Sequence, residues 1–333
     1  MAQVGPEKKR SRKMRVEDIR SISVLGAGIM GHGIAQAFLM GGYPVRLYDI
    51  KDAILDTARA HIRKNMEMFA QEGLLEASEV PPAVERLFTT TELALAVEGA
   101  DFIVEAAPED LPLKQELFAR VESLCPPQAV IATNTSSLTL SAIGEKVKKK
   151  DRLVVTHWFN PPHIVPTVEV VRGPETTQET MELAVALLER IRKMPVRIQK
   201  ELPGFIVNRI QTALIREVWD LYAQGVASPE DIDKAVKGSV GFRLASIGPL
   251  LTADLGGLDL WLRVYDNLVH EISSSTEAPK AVRDMVSQGH YGIKSGKGFY
   301  DYALDFSKAE LDEAVRRRDK EFLKRLKDLY WKA

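Results

Sequence analysis

Cysteine is almost absent from this chain of 333 residues, where Cys125 stands alone. One thiol excludes an intrachain disulfide framework and a cysteine-only metal cluster, so a reducing compartment is the natural setting. An excess of either charge is also missing: 45 Lys and Arg meet 46 Asp and Glu, a formal net charge of −1. Without a global field, the chain has no built-in attraction for nucleic acid or an anionic membrane. Long apolar runs are lacking too; none reaches the roughly 18 residues that a membrane helix requires. Met1 to Arg15 is polar and basic, without the apolar centre of a secretory signal. These absences lead to the expectation of a cytoplasmic protein with no nucleic-acid or membrane partner.

What is present suits a globular chain. Hydrophobic residues make up 45% and charged residues 27%, enough for a sizeable core and too apolar for disorder. The length exceeds the usual single domain of about 150 residues, which predicts two domains. Lys8, Lys9, Arg10, Arg12, Lys13 and Arg15 read as part of a solvated, mobile extension over residues 1–19. Nuclear import or nucleic-acid binding is the alternative use of those charges.

Short β-branched runs alternate with helical stretches in the first part of the chain. Ser21–Leu25, Val45–Asp49, Asp101–Ala106, Ala129–Thr133, Leu153–Thr156, Val168–Val171 and Val196–Gln199 read as strands, and Ala53–Glu72 as a long amphipathic helix. Strands separated by helices predict an α/β fold, a Rossmann-like doubly wound and mostly parallel sheet over residues 20–200. After Pro203-Gly204 the strand signal stops. Ile206, Ile210, Ala213, Leu214 and Val218 form a stripe at helical spacing, and residues 201–333 read as an all-α domain. At the end, Ser307 and Glu310 fit a capping box. Leu311, Val315, Phe322, Leu326 and Leu329 then lie along one helix face.

Gly26-Ala27-Gly28-Ile29-Met30-Gly31 follows the first strand and opens a helix. Gly26 permits the tight turn, Gly28 lets the backbone approach a pyrophosphate, and Gly31 lets the helix pack closely. The amides of Ile29 and Met30 lie where a helix amino terminus meets phosphate. Asp49 ends the next strand, where a carboxylate accepts a ribose hydroxyl and repels a 2′-phosphate, so the reading is NAD rather than NADP. FAD is a secondary possibility, and a turn that binds nothing is the bland one. Arg46 shares that strand, but alternation can aim it elsewhere. The second glycine-rich segment, Gly289 to Gly298, fails the spacing of an ATP-binding loop and lacks Ser or Thr after Lys297.

A dinucleotide at the carboxyl edge of a sheet needs a proton acceptor nearby. His157 ends the run Leu-Val-Val-Thr-His, at the edge where open α/β sheets bind ligands. Glu169 lies in a short strand that can return beside it. A carboxylate on one imidazole nitrogen sets the tautomer and leaves the other nitrogen to accept a hydroxyl proton. A purely structural His–Glu pair is the competing reading. His157, His163 and Glu169 as metal ligands is disfavoured, because their spacing through a proline loop lacks the fixed geometry of paired helical ligands. No metal is expected. Cys125 precedes two prolines without an evident basic activator and reads as inert.

Taken in order, the glycine turn, Asn134-Thr135-Ser136-Ser137, His157-Trp158-Phe159-Asn160-Pro161, Pro203-Gly204-Phe205-Ile206-Val207-Asn208-Arg209 and Lys294-Ser295-Gly296-Lys297-Gly298-Phe299-Tyr300 resemble the L-3-hydroxyacyl-CoA dehydrogenase family. The resemblance implies interconversion of an L-3-hydroxyacyl-CoA and a 3-ketoacyl-CoA with NAD, in fatty acid metabolism, by a homodimer joined through its helical domain. It makes His157 the general base, oriented by Glu169, with Ser136 and Asn208 holding the substrate oxygen. Asp49, Glu109, Lys114, Ser136, Asn160 and Lys294 match positions that line the cofactor. It also implies a serine and a lysine contacting CoA where this chain has Asn65 and Glu72. Other segments are similar to the L-gulonate 3-dehydrogenase and lambda-crystallin branch, among them Ala107-Pro108-Glu109-Asp110-Leu111, Asn160-Pro161-Pro162 and Gly241-Phe242-Arg243. That branch implies a free 3-hydroxy acid substrate, or a crystallin-like NAD-binding protein without catalysis.

Overall fold

Eight short strands form one sheet in the order β3-β2-β1-β4-β5-β6-β7-β8. They are β1 (Ile22–Leu25), β2 (Val45–Tyr48), β3 (Leu87–Thr90), β4 (Phe102–Glu105), β5 (Val130–Thr133), β6 (Leu153–Trp158), β7 (Thr167–Val171) and β8 (Met194–Ile198). The computed structural model describes residues 14–302 and 308–331. Strands β1 to β6 are parallel to one another, β7 runs antiparallel to β6, and β8 is parallel to β7. β1, β4, β5 and β6 are buried along their whole length, as strands covered on both faces must be. Alternate side chains feed two cores. Val24, Leu47, Val104, Ala132 and Val154 point to one, Leu25, Ile103, Ile131 and Val155 to the other.

α1 (Ile29–Met40) and α2 (Asp52–Gln71) cover the first face, together with helix Gln178–Arg190. Helix Leu111–Leu124 covers the second, through Phe118 and Val121. β3 is not among the strands expected from the sequence. It is an edge strand whose Phe88 is 51% exposed, so it carries little of the apolar patterning by which strands are recognised.

The chain divides into two units, residues 1–205 with 320–333, and residues 206–319. The second unit is helical, with Val207–Ala223, Pro229–Ala235, Pro249–Gly256, Leu258–Leu268 and Lys280–Ser287 its main segments. The division departs from the expected bounds at both ends. Lys8 to Lys13 lie outside the described residues, but the packed chain begins before residue 20. Val16–Asp18 form a 3₁₀ turn and Ile19 is in the core. At the other end, helix Lys308–Leu329 returns to the sheet unit instead of staying wholly with the helices. Leu323 and Leu326 are buried against Met68, Phe69 and Ile164. Trp331 Nε1 donates to the Arg192 carbonyl at 3.2 Å, and Lys327 Nζ donates to the Glu72 carbonyl at 3.2 Å. The buried stripe therefore runs through Leu323 and Leu326, while Phe322 and Leu329 stay exposed. Ser307 of the expected capping box lies outside the described residues.

Candidate active site

The glycine turn is built by contacts only glycine permits. Gly26 has φ +101°, and a Cβ there would meet the Ala106 carbonyl oxygen at 2.6 Å. A Cβ on Gly31 would lie 1.7 Å from the Gly26 carbonyl oxygen, so this glycine closes the helix onto its own turn. Gly28 differs. A Cβ there meets nothing within 4 Å, which leaves open space above the turn. No side chain caps α1, and Ile29 is 71% exposed, so the first amides of the helix face outward. An uncapped helix start beneath open space can receive an anionic group.

Asp49 follows β2 directly, and its Oδ2 accepts a hydrogen bond from the Ala27 amide at 2.8 Å. One carboxylate oxygen thus ties the acid to the turn, and the other has the capacity to accept from a hydroxyl. Arg46 does not compete: its Nη1 donates to the Leu95 and Glu98 carbonyls at 2.7 and 2.6 Å. His32, on the first turns of α1, contacts the Gly28 carbonyl through Nδ1 at 2.7 Å. Burial lowers its pKa, the Gly28 carbonyl raises it, and His61 lowers it further.

Beyond β4 lies a network that sequence reasoning saw only in part. Glu105 is fully buried. Lys114 Nζ meets its Oε1 at 2.6 Å, the Ala107 amide donates to the same oxygen at 2.6 Å, and Thr133 Oγ1 donates to Oε2 at 2.6 Å. Lys114 is equally buried and lies 3.4 Å from Glu109 Oε2. Glu109 Oε1 accepts from Thr135 Oγ1 at 2.5 Å, from Ser137 Oγ at 2.9 Å, and from the Ser136 and Ser137 amides at 3.2 and 3.1 Å. Partial burial pushes the Glu109 pKa up. The hydrogen bonds from Thr135 and Ser137 and the Lys114 charge outweigh it, bringing the pKa down to about 2. Glu109 is therefore an anion at neutral pH and shapes the Thr135–Ser137 turn. The Ser136 hydroxyl makes no hydrogen bond among the described residues. Glu105 was missed because its strand run, Phe-Ile-Val-Glu, offers no pattern that distinguishes a paired buried acid from a strand end.

His157 and Glu169 stand directly opposite each other in the antiparallel β6–β7 register, so their side chains share one face. His157 Nδ1 lies 2.8 Å from Glu169 Oε2, with both residues buried. A carboxylate at that distance accepts the hydrogen bond of an Nδ1–H, which sets the tautomer and leaves Nε2 as the lone-pair nitrogen. Phe159 packs edge-on against the imidazole at 4.6 Å between centroids, and Phe205 lies at 5.5 Å. Asn134 Oδ1 accepts from the Trp158 amide at 2.8 Å, which fastens the Ser136 turn to the His157 strand. Asn160 is exposed, in the loop after β6.

Among the described residues no group of His, Cys, Asp and Glu could hold a metal. His163 turns instead toward Phe69 and His32, with ring centroids at 6.1 and 6.4 Å. Cys125 is buried with a basic neighbour the sequence did not disclose, Arg152 Nη1 at 3.4 Å from its sulfur. Asn208 and Lys294 belong to the helical unit. Asn208 opens helix Val207–Ala223, and the Lys294 amine sits 5.4 Å from the Tyr291 ring centroid. No helix among the described residues is long and apolar enough to cross a membrane.

Two family models span most of the chain. The 3-hydroxyacyl-CoA dehydrogenase NAD-binding domain matches residues 21–202, and the C-terminal domain of the same family matches residues 204–302. The chain is 33% identical to 5-formyl-3-hydroxy-2-methylpyridine 4-carboxylate 5-dehydrogenase of Mesorhizobium japonicum, over 90% of this chain and 96% of that protein. It is 35% identical to the human lambda-crystallin homolog, over 79% of this chain and 83% of that one. The crystal structure of a 5-formyl-3-hydroxy-2-methylpyridine 4-carboxylic acid 5-dehydrogenase, an NAD⁺-dependent dismutase, superposes with a TM-score of 0.83 at 31% identity, covering 92% of this chain and 97% of that one. An open glycine cradle, an acid at the end of the second strand and matches along both halves converge on one conclusion: the chain is an NAD-dependent dehydrogenase of the 3-hydroxyacyl-CoA dehydrogenase family.

Proposed function

We propose that the site interconverts an L-3-hydroxyacyl-CoA and a 3-ketoacyl-CoA, with His157 as the acid–base group. The observation that carries this reading is the 2.8 Å contact between His157 Nδ1 and the buried Glu169 carboxylate. In oxidation, His157 Nε2 takes the proton of the C3 hydroxyl, and Glu169 stabilises the imidazolium that forms; general-base catalysis of this kind contributes about 10²–10⁴-fold. NAD held by the glycine turn and Asp49 would supply the acceptor for the hydride of C3. In reduction His157 returns the proton to the keto oxygen. The Ser136 side chain holds that oxygen. Asp49 binds the adenosine ribose, the amides after Gly28 bind the pyrophosphate, and Glu109, Lys114 and Asn160 complete the cofactor's surroundings in the sheet unit. For Asn208 and Lys294 the support is the resemblance, which gives the first to the substrate oxygen and the second to the cofactor.

A free 3-hydroxy acid is the second reading, and a specific observation favours it. Glu72 follows α2 at the place where the resemblance puts a CoA-contacting lysine. Lys327, Leu323 and Leu326 of the carboxyl-terminal helix pack over that end of α2. An acid beneath a helix is a poor seat for CoA phosphates. Assay of NADH oxidation with acetoacetyl-CoA and with free 3-keto acids separates the two. Turnover of the thioester alone supports the first reading, and turnover of the free acids alone the second.

The protein is a homodimer in this proposal. Among the described hydrophobic residues of unit 206–319, only Ile232 and Val282 are buried, whereas Leu250 is 82% and Leu258 62% exposed. A unit of this length with so small a core needs a partner surface, and the same apolar faces on a second copy supply it. Trp261, also exposed, lies on the same helix as Leu258.

A further inference from the structure

Lys193 takes no part in the chemistry above, yet its amine lies in the interior. It immediately precedes β8 and is 6% exposed. Its Nζ donates to the Pro162 carbonyl at 2.7 Å and to the Val165 carbonyl at 2.9 Å, beside the Trp158 ring at 5.4 Å from the centroid. Among the described residues no carboxylate offsets its charge, and burial alone brings its pKa down to about 7. A neutral amine carries two N–H donors, and two carbonyls receive them. A methionine would fill the same space without the cost of burying a polar head, so the amine is held there by what it grips.

What it grips is the connection between the two halves of the acid–base pair. The loop leaves β6 just after His157, carries Asn160, and enters β7 just before Glu169. α1 presses on the same loop, since a Cβ on Gly33 would meet Pro162 Cγ at 2.7 Å and His163 Nδ1 at 2.9 Å. Lys193 therefore holds this loop against the helix that opens the cofactor cradle. We propose that Lys193 is a positioning residue, whose grip on the Pro162 and Val165 carbonyls sets the geometry between His157 and Glu169. This rests on His157 being the acid–base group.

The test is steady-state kinetics across pH on the full chain with Lys193→Gln and Lys193→Met. The amide of Gln is too short to reach both carbonyls, and Met has no donor. Misplacing an acid–base group by an ångström costs up to about a hundredfold. The expected result is kcat lowered about tenfold or more, with the apparent pKa of the kcat profile shifted and KM for NAD little changed, Met falling below Gln. Wild-type kcat and an unmoved pH profile, with only the melting temperature lowered, would overturn the proposal. Should the Met variant not fold, the Gln variant alone decides by the same criteria. His157→Ala is assayed alongside: if it keeps wild-type turnover, the reading of the site fails regardless of Lys193.

Discussion

Burial disfavours the charged form of Lys193, and its pKa of about 7 makes the cost visible in a pH titration. In the unfolded chain a lysine holds its proton to about 10.4. Between those values the unfolded state binds more protons than the folded one, so stability rises with pH across that window and is level below it. The melting temperature of the wild type should therefore climb relative to Lys193→Met from near neutral pH toward pH 10, read by thermal denaturation at several pH values. A constant difference between the two curves would mean the amine does not titrate there. Glu109 illustrates the opposite case. Its carboxylate is held ionised by hydroxyl and amide donors and by Lys114, and the stability this gives is lost progressively as pH falls from the ordinary carboxylate range through about 2.

At the scale of elements, the glycine turn separates a structural from a functional requirement. Gly26 and Gly31 are demanded by the fold, because a side chain at either collides with backbone oxygen. Gly28 is not, since a methyl there enters open space. Gly28→Ala should keep the wild-type melting temperature while weakening NADH binding about tenfold, a loss of roughly 1.4 kcal/mol measured by fluorescence titration. Unchanged binding would remove the cradle from the account. The same turn shows how much of the fold is legible in the residues alone. Runs such as Ile-Ser-Val-Leu and Leu-Val-Val-Thr-His declare buried parallel strands, and the glycines declare the turn and helix after the first of them. The edge strand Leu87–Thr90 does not declare itself, being short and half polar. His157 and Glu169 were legible because one ends a strand and the other sits in the next. Glu105 and Lys193 were not, because a buried charge is recognised by its partners, and Lys114, Thr133, Pro162 and Val165 come from other parts of the chain. The return of the carboxyl-terminal helix to the sheet unit was hidden for a similar reason. Helical periodicity identifies an apolar stripe but not the surface it meets.

For the whole molecule, the proposed homodimer gives the exposed apolar residues of unit 206–319 a partner surface. A dimer closed through helix Leu258–Leu268 predicts that Leu258→Glu with Leu262→Glu halves the mass seen by light scattering and lowers the melting temperature. A monomeric wild type would contradict it. The central claim is that His157, steered by Glu169, moves the substrate proton. Its most direct measurement pairs single-turnover hydride transfer with NADH binding in His157→Ala. The account predicts a rate lowered about 10²–10⁴-fold with cofactor affinity unchanged. Hydride transfer at the wild-type rate in a variant that still binds NADH would contradict it.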